Sequence, residues 1–192
     1  MSTAHTSLAT DLKVAEQMVA GMSDYLNSGS VYSKKIDHDL MYLTLGGYLI
    51  RQHQLTALTD ALDPAQKARL RNVVENFETI RRTQAGAFEK KANQELQARL
   101  REWERSLKEL LDDRRPSMAF YRNDVEKRVM IATLLDALQA DSALLKPEIP
   151  NQIERLDKQL RSRWRSGSFI WPPQLEAAYP TDDYWWLYGE LV

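Results

Sequence analysis

The stretch "PAQKARLRNVVENFETIRRTQAGAFEKKANQELQARLREWERSLKELLDD", residues 64–113, decides the fold. Leu70, Val74, Phe77, Ile80, Phe88, Ala92, Leu96, Leu100, Trp103, Leu107 and Leu110 recur in steps of three and four, the period of one face of an α-helix, apart from one step of eight between Ile80 and Phe88. Asp63 before Pro64 is a helix start: the carboxylate can accept from a free amide, and a proline at the first helical position has no N–H to lose. A straight helix of this length would be roughly 75 Å long, whereas a compact domain of this size has a radius of gyration of about 16 Å. Either the molecule is elongated or the helix bends. Any bend belongs at "TQAGAF", where Gln84 takes an apolar place in the stripe and Gly86 weakens the helix by about 1 kcal/mol relative to alanine.

Working outward, Leu8, Leu12, Ala15, Val19, Met22 and Leu26 mark a first helix over Ser7 to Asn27. A connection containing "SGSVYSKK" leads to Thr44, the expected cap of a second helix that uses Leu45, Tyr48, Leu49, Gln52, Leu55, Leu58 and Leu62. After "RRPS", a fourth helix opens at Pro116 or Ser117 and carries Tyr121, Val125, Val129, Ala132, Leu135 and Leu138 to about Ala140. A fifth, after "KPEIP", places Ile149, Ile153, Leu156, Leu160 and Trp164 on one stripe. Short connections favour antiparallel neighbours, so the second and fourth helices are expected to fold back on the two halves of the long one. The expectation is an all-α, elongated bundle of about five helices with one very long central helix and no strand. Residues 1–165 form the bundle and 166–192 an extended aromatic arm, packed on the bundle or on a partner subunit.

That arm is unusual. Tyr184, Trp185, Trp186 and Tyr188 lie in the last nine residues, and Phe169 and Trp171 precede them. Buried aromatic rings contribute about 1.5 to 3 kcal/mol each, enough together to offset the cost of ordering a tail. These six residues are the expected docking elements. The fifth helix is basic, with Arg155, Lys158, Arg161, Arg163 and Arg165 against Glu154 and Asp157, while residues 166–192 contain no Lys or Arg and four acids, Glu176, Asp182, Asp183 and Glu190. A basic helix thus precedes an acidic, aromatic arm.

Composition excludes much chemistry. With no cysteine there is no disulfide, thiolate nucleophile or thiolate metal site. The 26 Lys plus Arg against 27 Asp plus Glu provide no overall field toward DNA or an anionic membrane. No signal peptide or membrane span is read, and the expected location is cytoplasmic. His38 stands between Asp37 and Asp39, but adjacent helical side chains diverge by about 100° and no second ligand lies at three or four residues, so neither metal nor cofactor is expected. His53 falls on the side of the second helix away from its leucines and reads as a surface residue. Gly46 and Gly47, at a helix start, are candidate anion contacts through their amides, as are Arg155, Lys158, Arg161 and Arg165 through their charges.

The function expected from these features is structural or interactive and non-enzymatic: a protein that self-associates, or binds another protein, through its spine and arm. One alternative is a small-molecule or phosphate pocket, binding or enzymatic, near His38, Tyr42, Gly46 and Tyr48. Another, less expected, is nucleic-acid binding through the basic face of the fifth helix.

Overall fold

A computed structural model describes residues 8–32, 42–113, 117–139 and 145–192. Among them are seven α-helices: α1 (Leu8–Leu26), α2 (Leu45–Ala57), α3 (Pro64–Thr83), α4 (Ala85–Asp112), α5 (Met118–Asp124), α6 (Glu126–Gln139) and α7 (Glu148–Arg161). Two short strands follow, β1 (Trp164–Phe169) and β2 (Tyr188–Leu191). The chain is helical with a C-terminal aromatic segment. His38 and its flanking aspartates lie outside the described residues.

Both expected caps form. Thr44 Oγ1 accepts from the amide of Gly47, and Asp63 makes a reciprocal capping box with Gln66 ahead of Pro64. The long helix is interrupted at the single residue Gln84, whose backbone (φ −122°, ψ 37°) leaves helical geometry. The ladder still runs into and out of it: Gln84 N donates to Ile80 O and Phe88 N to Gln84 O, each at 2.9 Å. The result is a bend. In a straight helix residues 77 and 88 would lie about 16 Å apart along the axis, yet the rings of Phe77 and Phe88 meet edge to face at 6.2 Å. Thr83 turns its hydroxyl back onto Thr79 O at 2.8 Å, a bond that favours helix bending. Gln84 itself is tied to the end of α1, donating to Ser23 Oγ and accepting from Asn27 Nδ2.

The fourth expected helix is likewise two, α5 and α6, parted only at Val125. Among the described residues α6 lies along α4 in the most extensive helix pairing, α1 covers α3 and α2, and α7 packs on α4 beside α6. Phe88, Ala92, Leu96, Leu100, Trp103, Leu107 and Leu110 are all buried, so the apolar stripe of α4 is covered within the chain. α2 is central. Its neighbours α1, α4, α6 and the 3-10 segment Pro173–Ala178 surround it, so Arg51 is buried, and so is Ile50, which lies outside the leucine stripe on the helical wheel.

The C-terminal segment differs most from expectation. It is folded back on itself: β1 and β2 pair antiparallel, with Trp164 opposite Leu191, Arg165 opposite Glu190 and Ser166 opposite Gly189. The chain between them forms two 3-10 segments, Pro173–Ala178 and Trp185–Leu187. Trp164 begins a strand where the stripe had made it the end of the fifth helix. Gly189 makes the pairing possible. Its φ is +152°, and a Cβ there would sit 2.2 Å from Arg165 O.

Candidate functional site

The arm crosses the outer face of α2. Gln54 Nε2 donates to Tyr179 Oη at 2.8 Å, and the His53 ring bonds through Nε2 to Ala178 O while lying against Tyr179 and Tyr184. His53 is therefore half-buried beneath the arm. Between α1, α2, α6 and the Pro173–Ala178 turn lies a cavity of about 240 Å³. Its apolar walls are Leu8, Ile50, Leu58, Ala61 and Leu175. Its polar groups are Asp11, Arg51, Gln54, Glu126 and Gln174.

Arg51 is the unusual member, only 6% exposed. Of the five N–H bonds a guanidinium offers, one hydrogen bond is made among the described residues, from Nη1 to Gly47 O one turn earlier at 3.1 Å. Nε lies 3.9 Å from Asp11 Oδ1, an ion pair but too long for a hydrogen bond, and that buried Nε has no hydrogen-bond acceptor. Burial disfavours the charged guanidinium, and the carboxylates of Asp11 and Glu126 oppose that effect. Burial also pushes the Glu126 carboxyl above the usual range, with Arg51 the chief opposing charge.

A second polar cluster underlies the start of α2. Glu95, on α4, accepts from Leu45 N (Oε2, 2.7 Å) and Gly46 N (Oε1, 3.1 Å) and is approached by Arg99 Nη2 at 3.4 Å. A Cβ on Gly46 would lie 2.9 Å from Glu95 Oε1, so glycine admits the carboxylate. Lys91, one turn before Glu95, donates to Ser28 O at 2.6 Å and Ser30 O at 3.0 Å. The carboxylate met by the Gly46 amide is thus the chain's own, and Gly47 N is taken by Thr44. Sequence reading missed Glu95. The available signal was Lys91, Glu95 and Arg99 at four-residue spacing along the edge of an otherwise apolar stripe.

Comparison with protein-family models, with curated proteins and with solved structures found no match to the chain. The functional reading therefore rests on geometry alone.

The structure brings the six aromatic arm residues together. Phe169 packs on Tyr188 at 5.1 Å and Trp171 on Tyr179 at 5.3 Å, with Trp171 Nε1 donating to Arg122 O. Tyr184 and Trp186 are buried. The Arg128 guanidinium lies 3.7 Å from the Trp186 ring while forming a two-pronged pair with Asp157, and Tyr121 Oη donates to Trp186 O. Trp185 is half-exposed beneath Arg161, at 3.6 Å. The other basic residues also have intrachain partners: Arg155 pairs with Glu104, Lys158 with Glu154 and Arg165 with Glu190. Tyr48 is buried against Phe77, whereas Tyr42 is exposed, edge-on to Tyr32. Among the described residues, no group of three or more His, Asp or Glu side chains could hold a metal ion, and no helix is long and apolar enough to cross a membrane.

Proposed function

We propose that this protein is a helical small-molecule-binding protein whose site is the Arg51 cavity. The observation that carries the reading is a buried guanidinium that makes a single hydrogen bond among the described residues, on the wall of a hollow lined by both apolar and polar side chains. A buried charge is costly unless it is paired and hydrogen-bonded, and ligand sites combine apolar walls with a few convergent polar groups. The pocket near Gly46 and Tyr48 is thereby relocated about one turn along α2, to Arg51 and Gln54.

Self-association has less support. The apolar stripe of α4 is buried within the chain, as are Tyr184 and Trp186 of the arm, which leaves less surface for a second copy. The large hydrophobic residues left exposed among the described residues are Tyr32, Tyr42, Phe120 and Val192. The basic face read for the fifth helix offers little to nucleic acid while Arg155, Lys158 and Arg161 on α7, and Arg165 on β1, are engaged with intrachain partners.

The test is methyl NMR of the full chain titrated with mixtures of polar metabolites. Shifts confined to Leu8, Ile50, Leu58 and Leu175 are expected. If no mixture moves these methyls, the cavity is not a binding site.

A further inference from the structure

We propose that the Arg51 cavity takes a free α-amino acid with an apolar side chain, its carboxylate on Arg51 and its ammonium on Glu126. The inference rests on the reading of the cavity as a small-molecule site and assigns its ligand class.

Three features converge. Arg51 is 6% exposed, lines the cavity, and makes a single hydrogen bond among the described residues. Asp11 holds the Nε side of the guanidinium at 3.9 Å without a hydrogen bond. Glu126, the first residue of α6, presents a second carboxyl to the same space. Around them stand Leu8, Ile50, Leu58 and Leu175, able to receive an aliphatic or aromatic side chain.

The mixed charge selects the ligand. A simple anion would meet Arg51 but be repelled by Glu126 and Asp11. A simple cation would meet Glu126 yet lie beside Arg51 and leave its donors unmet. A zwitterion satisfies both, provided its charges are as close together as those of an α-amino acid. Arg51 suits the carboxylate half, because its planar fork matches carboxylate geometry. Burial sharpens the choice, since it raises the cost of leaving either protein charge uncompensated and has already pushed the Glu126 carboxyl upward. Size limits the rest. The volume of about 240 Å³ lies below the roughly 300–1,000 Å³ common for drug-sized ligands, which suits one amino acid and excludes a dinucleotide.

The experiment is calorimetric titration of the full chain at neutral pH with L-leucine and L-phenylalanine, beside 3-methylbutylamine, 4-methylpentanoate and glycine. These last three lack, in turn, the carboxylate, the ammonium and the side chain. At least one of the two amino acids is expected to bind about tenfold or more tightly than every partial ligand, a tenfold step being a resolvable difference in Kd. Glu126→Gln preserves size at a half-buried position. It should weaken amino-acid binding about tenfold while 4-methylpentanoate, relieved of the Glu126 repulsion, binds at least as tightly as before. Leu58→Trp, which fills the cavity from its rim, should abolish binding, and near-ultraviolet circular dichroism verifies that both variants are folded. Equal binding of the amine or the acid overturns the zwitterion assignment, as does undiminished binding to folded Glu126→Gln. Silence from every apolar amino acid also overturns it. If other metabolites then still shift the cavity methyls, the small-molecule reading stands and only the amino-acid assignment falls.

Discussion

The carboxylate of Glu95, with 0% of the residue exposed, accepts a 2.7 Å hydrogen bond from the amide of Leu45 across 50 residues of sequence. One side chain from α4 thereby supplies the negative charge that the first turn of α2 lacks. Glu95→Ala would strand the Leu45 and Gly46 amides and remove a counter-charge from Arg99. A loss of about 3 to 5 kcal/mol is expected, as for breaking other buried pairs. Glu95→Gln, which keeps one acceptor, should cost less, about 1 to 3 kcal/mol. Urea unfolding midpoints check both, and near-wild-type stability of Glu95→Ala would contradict the anchoring role.

The two adjacent tryptophans should behave differently. Trp186 is buried beneath Arg128, so truncation to alanine should cost about 3 to 5 kcal/mol. Half-exposed Trp185 shares its ring with Arg161, and Trp185→Ala should cost nearer 1 kcal/mol. Exposed Asp182 and Asp183, changed together to asparagine, should alter stability by less than about 1 kcal/mol. Chemical denaturation of the three variants gives the ordering directly.

Gly189 and Gly86 make a matched pair of opposite sign. Alanine at Gly189 meets both a positive φ and Arg165 O, so Gly189→Ala should destabilise by about 2 kcal/mol or more and unpair β1 from β2. Around Gly86, in the first turn of α4, nothing lies within 4 Å of an added Cβ. Gly86→Ala should stabilise by up to about 1 kcal/mol. Amide exchange at Trp164 to Ser166 distinguishes local unpairing from a global change.

Glu126 should make stability depend on pH. Burial raises its folded-state pKa above the unfolded value of about 4.3. Its stabilising contribution is therefore fully present below the unfolded pKa and is lost as pH rises through the folded one. Glu126→Gln removes that titration. The variant should melt higher than the parent at neutral pH, with the gap closing as pH falls to about 4. A gap that widens toward acid would contradict the sign.

The ends and the turning point of the spine were legible because their causes are local. Asp63 and Pro64 form a start signal within four residues, and Gln84 interrupts the stripe where the bend occurs. α7 was legible for the same reason: Ile149, Ile153, Leu156 and Leu160 are buried as their spacing requires. The strands were not, since "WRSGSF" and "YGEL" are too short to show alternation and each exists through pairing with the other. Aromatic content indicated an ordered arm, but not which faces it would cover.

Helix positions, capping and the apolar stripes were determined by the sequence itself, through propensities and periods that act over one to three turns. The candidate site was decided by tertiary structure. His53 sits on the side of α2 that periodicity assigned to solvent and is half-buried because a distant 3-10 turn closes over it, while Arg51 borders the leucine stripe and owes its polar surroundings to α1, α6 and that same turn. Glu95 reads as one more surface acid until α2 brings its amides to it. Burial of a polar side chain depends on partners distant in sequence, whose positions no local pattern encodes.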